Sequence, residues 1–372
     1  MNRNILKMKP SLIRRFTALA RATPGCSMLT IGEPDFDTPL PIRKAAAQAM
    51  AEGLTHYAPN KGTDSLRKAI AAYETRRGMD CTMDNILVTV GATGALNTAL
   101  TGLLNPGDEV IIPVPAFPLY ESITVAAGAV PVFLDLKKTD FQITKEALEA
   151  VITPKTKAII LNSPNNPTGC VLSWDSLLQV AFFAGTRNFY IICDNVYAAL
   201  SEEQPPDLSL AIDRFPNVIL CQSFSKPWAM TGWRLGWLAA STELIDKFTI
   251  LQAAQIASVP TFLQKAAETA LLVDVAPMAS VYRKRRDYVC RRLDRMGLTY
   301  PKPEGAFYVF PDISRFGLSS EEFCIRLIEE GGLAAVPGSC FGGEGHIRLS
   351  YCYSDEELKE SLDRLEKFIR SL

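Results

Sequence analysis

The sequence predicts an α/β fold, with a mainly parallel central sheet carrying helices on both faces and a smaller α+β domain after it. Three observations carry this. Between Asn85 and Leu238, short apolar runs recur at Ile86–Val90, Glu109–Pro113, Val130–Leu134, Ala158–Leu161, Tyr190–Cys193 and Val218–Cys221. Helical stretches separate most of these runs, the alternation expected of parallel strands with covering helices. Beyond Ser241 the alternation stops: helical stretches run to about Leu293, and strand patterns at Ala306–Phe310 and His346–Tyr351 then mix with helices.

In chain order, Ser11 to Ala20 reads as a short amphipathic helix with Leu12, Ile13, Phe16 and Leu19 on one side. Ile31 to Pro39 is too rich in proline and acid for a regular element. Helices at Pro41–Gly53 and Asp64–Arg77 flank the loop Thr55–Gly62, and Gly78 supplies the stop of the second. The last helix opens on the capping box Ser354-Asp355-Glu356-Glu357 and buries a stripe of Leu358, Leu362, Leu365 and Ile369. The expected division is an N-terminal segment 1–40 joining the small domain, a large domain 41–265, and a small C-terminal α+β domain 266–372.

Composition narrows the function. A formal net charge of -1 over 372 residues, with both signs interspersed, argues against nucleic acid or an anionic membrane as partner. The basic start lacks the apolar core of a secretory signal, and no apolar span reaches bilayer length. Nine scattered cysteines without a C-x-x-C pair fit reduced thiols and a cytoplasmic location. With only His56 and His346, a multi-histidine metal site is excluded and no metal is expected.

The chemistry-bearing stretch is Ser223-Phe224-Ser225-Lys226-Pro227-Trp228-Ala229-Met230-Thr231-Gly232-Trp233-Arg234, directly after a strand pattern. Ligands bind at that edge of open α/β sheets. Two serine hydroxyls, an amine and a guanidinium within a dozen residues suit a phosphate together with a carbonyl that the amine can attack. Gly91-Ala92-Thr93-Gly94 follows another strand and opens a helix, so its amides offer a second phosphate cradle. Asp194 ends a third strand, and Arg348 lies in an alternating strand pattern, where a guanidinium can fork onto a carboxylate.

These motifs and their order, from about Gly32 to Arg348, resemble the class I/II aminotransferases, pyridoxal-phosphate (PLP) enzymes of fold type I. The match includes S-x-S-K…G-x-R at Ser223–Arg234, N-P-T-G at Asn166–Gly169, D-x-x-Y at Asp194–Tyr197 and Y-x-P-x-x-G at Tyr57–Gly62. It also includes G-A-F-Y at Gly305–Tyr308 and a P-x-F-P-x-Y loop at Pro115–Tyr120. The resemblance implies pyridoxal 5'-phosphate as cofactor, with the large domain binding it. Lys226 would be its Schiff-base lysine and proton shuttle. Ala92, Thr93, Ser223, Ser225 and Arg234 would hold the phosphate, Phe117 would stack on the ring, and Asp194 would face the ring nitrogen. Asn166 and Tyr197 would share the phenolic oxygen, and Gly32, Asn166 and Arg348 would meet the substrate. Tyr57 would reach the partner's phosphate in a homodimer with composite sites.

The implied reaction is ping-pong transamination between an L-amino acid and a 2-oxo acid. A lyase or racemase on the same fold is the alternative. A non-catalytic PLP-binding regulator is disfavoured because Lys226, Asp194 and Arg348 are all present and no DNA-binding segment is appended.

Overall fold

A computed structural model describes residues 1–8 and 10–372. Its centre is a seven-stranded sheet. From edge to edge the strands are Ile86–Thr89, Gly236–Ala239, Val218–Ser223, Tyr190–Asp194, Thr156–Asn162, Glu109–Val114 and Val130–Asp135. Five neighbouring strands pair in parallel, and Gly236–Ala239 runs antiparallel to both its neighbours. All six expected runs are strands. The seventh, Gly-Trp-Leu-Ala, was not foreseen, because four residues directly after the lysine loop are too short to show a period.

The sheet is apolar on both sides. Ile111, Ile159, Ile191 and Leu220 enter one buried cluster, while Ile112, Ile160, Ile192 and Cys221 enter another. Successive strand residues point to opposite faces, so near-continuous apolar runs follow from having helices on each face. The expected helices form at Leu12–Ala22, Leu40–Ala51 and Asp64–Arg76, the last capped by the Thr63 side chain.

A third cluster unites the chain's two ends. Phe16, Ala20 and Leu29 are buried with Leu293, Leu327, Leu349 and Leu365. There the strand expected at 306–310 shrinks to Tyr308–Val309, paired with Ile347–Ser350. The capping box at Ser354 forms as expected, and Leu358, Leu362 and Leu365 are fully buried. The helix Thr261–Ala270 crosses residue 265 and packs on Leu40–Ala51, burying Ala266, Ala267 and Ala270 in the first cluster.

The segment 32–38 straps the two bodies together. Thr38 Oγ1 donates to the Ala229 carbonyl at 2.6 Å, and Glu33 accepts from Thr231. On its other side Asp35 takes both Nη atoms of Arg285 at 2.8 Å, and Arg285 Nε also reaches Asp355 at 3.0 Å.

Candidate active site

A cavity of about 1030 Å³ opens at the C-terminal edge of the parallel strands. Every expected site residue lines it except Tyr57, which lies outside and is 92% exposed.

Lys226 stands in a turn beyond strand Val218–Ser223, half-buried, with Nζ donating to the Gly32 carbonyl at 2.6 Å. Burial, aided by the Arg348 and Arg234 cations and opposed by Cys352 and Glu33, pulls its amine down to about 8. A substantial neutral fraction is therefore present near physiological pH, the form that attacks a carbonyl or accepts a proton.

Asp194 ends the neighbouring strand and is 4% exposed. Its Oδ2 accepts from the Tyr120 hydroxyl at 2.6 Å, while Oδ1 is buried with no hydrogen-bond partner among the described residues. Burial raises this carboxyl to about 6, with the Tyr120 bond acting in the opposite direction. A buried oxygen without a partner is costly. A protonated ring nitrogen would satisfy it.

The side expected to take the phosphate is built from close backbone approaches. Gly91 adopts φ +67°, and a Cβ there would crowd Arg234 Nη2 at 3.1 Å. The helix Gly91–Leu103 has no side-chain cap from Val90, so its first turn offers amides to an anion. Ser223 Oγ donates to Ser225 Oγ at 2.8 Å, and Arg234 Nη1 to the Thr231 carbonyl at 3.0 Å. Phe117 is half-buried, edge-on to Tyr120 with centroids 6.0 Å apart.

The opposite wall comes from the ends of the chain. Arg348 is 2% exposed. It donates from Nη1 to Asn166 Oδ1 at 2.9 Å and from Nη2 to the Thr30 carbonyl at 2.6 Å, leaving Nε buried without a partner among the described residues. Gly32 passes so close to Tyr308 that a Cβ would overlap the tyrosine hydroxyl. The Tyr197 and Tyr308 hydroxyls are 3.0 Å apart.

Sequence reasoning missed the roles of Tyr120, as partner of Asp194, and of Tyr308, beneath Arg348. Both stood inside recognised motifs, as the last tyrosine of P-x-F-P-x-Y and of G-A-F-Y. What they touch lies 74 and 40 residues away, beyond the reach of any local pattern.

These residues fit pyridoxal phosphate: an anion cradle, a depressed lysine, and a buried carboxylate oxygen awaiting a donor. Fold and cavity together define a PLP-dependent transferase. The chain belongs to the class I and II aminotransferases, since residues 25–365 match the family Aminotransferase class I and II. It is similar to aromatic-amino-acid aminotransferase 2 of Thermococcus litoralis, 40% identical over 98% of this chain and 96% of that protein. It is likewise 41% identical to an aspartate aminotransferase of Pyrococcus abyssi, over 98% and 96% of the two chains. The solved aspartate aminotransferase of Thermotoga maritima superposes with a TM-score of 0.95, at 36% identity over 100% of both chains. The protein is an aminotransferase with pyridoxal phosphate as its cofactor.

Proposed function

We propose that the protein moves the amino group of an aspartate or aromatic L-amino acid to a 2-oxo acid, by a ping-pong route, with the residues in the roles given above. One observation supports this most: Lys226, Asp194 and Arg348 line one cavity, and Asp194 Oδ1 and Arg348 Nε have no hydrogen-bond partner among the described residues. When bound, the cofactor supplies an electron sink that makes the substrate's α-proton acidic. Asp194 holds the ring-nitrogen proton at its Oδ1 and so sharpens that sink. Arg348 grips the α-carboxylate in place of the Thr30 carbonyl, and Asn166 and Tyr197 donate to the ring oxygen. Lys226 Nζ, neutral, takes up the α-proton.

Phe117, Leu119 and Ile13 line the cavity and suit an aromatic side chain, while Arg14 and Arg21 are available at its rim for a second carboxylate. Relatives named for aspartate and for aromatic amino acids support both donors. Tyr57, exposed and outside its own cavity, supports a homodimer in which it serves the partner's phosphate. The cytoplasm is the proposed location, supported by nine unpaired thiols. No described helix is long and apolar enough to cross a membrane. For the domains we retain the break near 40 and move the second past Leu271, because Thr261–Ala270 packs with the large sheet's helices.

The test is spectroscopic. Aspartate or tyrosine added alone should discharge the cofactor's visible absorbance, and 2-oxoglutarate should restore it. Absorbance that neither donor alters would refute the assignment.

A further inference from the structure

Tyr308 has no part in the roles above, yet it touches three groups that do. Its hydroxyl is 3.0 Å from that of Tyr197, and Arg348 Cζ lies 4.5 Å from its ring centroid. Gly32 is the third neighbour, where a Cβ would collide with the same hydroxyl. Both tyrosines are buried, 2% exposed at Tyr308 and 5% at Tyr197. Burial raises both phenols, Tyr308 to about 12 and Tyr197 well above its ordinary value. Two neutral hydroxyls therefore share one hydrogen bond, and one proton is left over. Among the described residues each has the other as its sole hydrogen-bond partner.

The proton order matters. If Tyr197 donates to Tyr308, its oxygen presents only lone pairs to the cavity. If Tyr308 donates, the Tyr197 proton is free for an acceptor there. We propose that Tyr308 is a positioning residue that donates to Tyr197 and thereby aims the Tyr197 proton at the phenolic oxygen of the cofactor ring. The inference rests on the reading of Tyr197 as donor to that oxygen. A hydroxyl that accepts a hydrogen bond is itself a stronger donor, so Tyr308 strengthens the bond as well as orienting it.

The consequence is a shift in proton affinity. A donor on the ring oxygen withdraws negative charge that would otherwise hold the proton on the imine nitrogen contributed by Lys226. With the Tyr308 bond in place, that nitrogen loses its proton at lower pH. The charged and titratable groups facing the pair are Asp194, Arg348, Cys352, Tyr120 and Tyr282, and those facing Lys226 are Cys352, Glu33, Arg348, Arg234 and Asp194. Phenylalanine at 308 leaves all of them in place and keeps the ring beneath Arg348.

The experiment is a pH titration of the visible absorbance of the PLP-loaded protein, of Tyr308→Phe, of Tyr197→Phe and of the double variant. Tyr308→Phe should raise the midpoint by about half to one pH unit, the worth of one buried hydrogen bond. It should add nothing once Tyr197 is phenylalanine, since the effect passes through that residue. An unmoved midpoint in Tyr308→Phe, or an equal rise in both backgrounds, overturns the proposal while the Tyr197 reading survives. A midpoint that Tyr197→Phe leaves unmoved overturns that reading and the proposal with it.

Discussion

The two walls of the cavity are built in opposite ways. The lysine wall is nearly continuous in sequence: Ser223, Ser225, Lys226 and Arg234 lie on one strand end and the turn after it. The carboxylate wall is assembled from distant pieces. Arg348 bonds Asn166 across 182 residues and Thr30 across 318, and its ring support is Tyr308. The first wall is fixed by local backbone geometry. The second exists only when both ends of the chain share one core, and it meets the first where Lys226 Nζ donates to the Gly32 carbonyl at 2.6 Å.

The sharpest break of this comparison is Lys226→Ala. It should abolish the visible absorbance and turnover together, and a coloured, active variant would refute the assignment. Arg348→Ala should spare the absorbance, which belongs to the other wall, and lower kcat/KM by about 2–5 kcal/mol because a carboxylate is left unpaired. A normal kcat/KM would rule out the fork.

Lys226 also carries a pH signature. Burial lowers its amine to about 8, so the neutral, reactive fraction grows about tenfold per pH unit below that value and levels off above it. The rate at which cofactor-free protein binds PLP covalently should rise from pH 6 and flatten past 8. A rise continuing to pH 10 would mean an ordinary, solvated lysine. The smallest effect is expected from Tyr57→Phe, a several-fold weaker retention of PLP measured by dialysis. Unchanged retention would remove its phosphate role.

Much of this was legible in the residues. The apolar runs of the sheet, the capping box at Ser354 and the motif around Lys226 each depend on neighbours within about a dozen positions. Such patterns survive in one dimension because strand alternation, helix periodicity and turn chemistry are local. The strand Gly236–Ala239 was not legible, since its place between Ile86–Thr89 and Val218–Ser223 is set by pairing partners on either side. Nor was the course of Thr261–Ala270, whose small apolar residues suit either body until Leu40–Ala51 is seen beside it.

The sequence by itself determined the family and, through it, the cofactor, because covalent and phosphate chemistry demand particular residue types at short spacing. Only the tertiary structure decided which groups stay unpaired. That Asp194 Oδ1 and Arg348 Nε are buried without partners among the described residues, and that Tyr308 leans on Tyr197, follows from packing between segments up to hundreds of residues apart. Burial raises the cost of every unmet hydrogen bond, and where it falls depends on the whole fold.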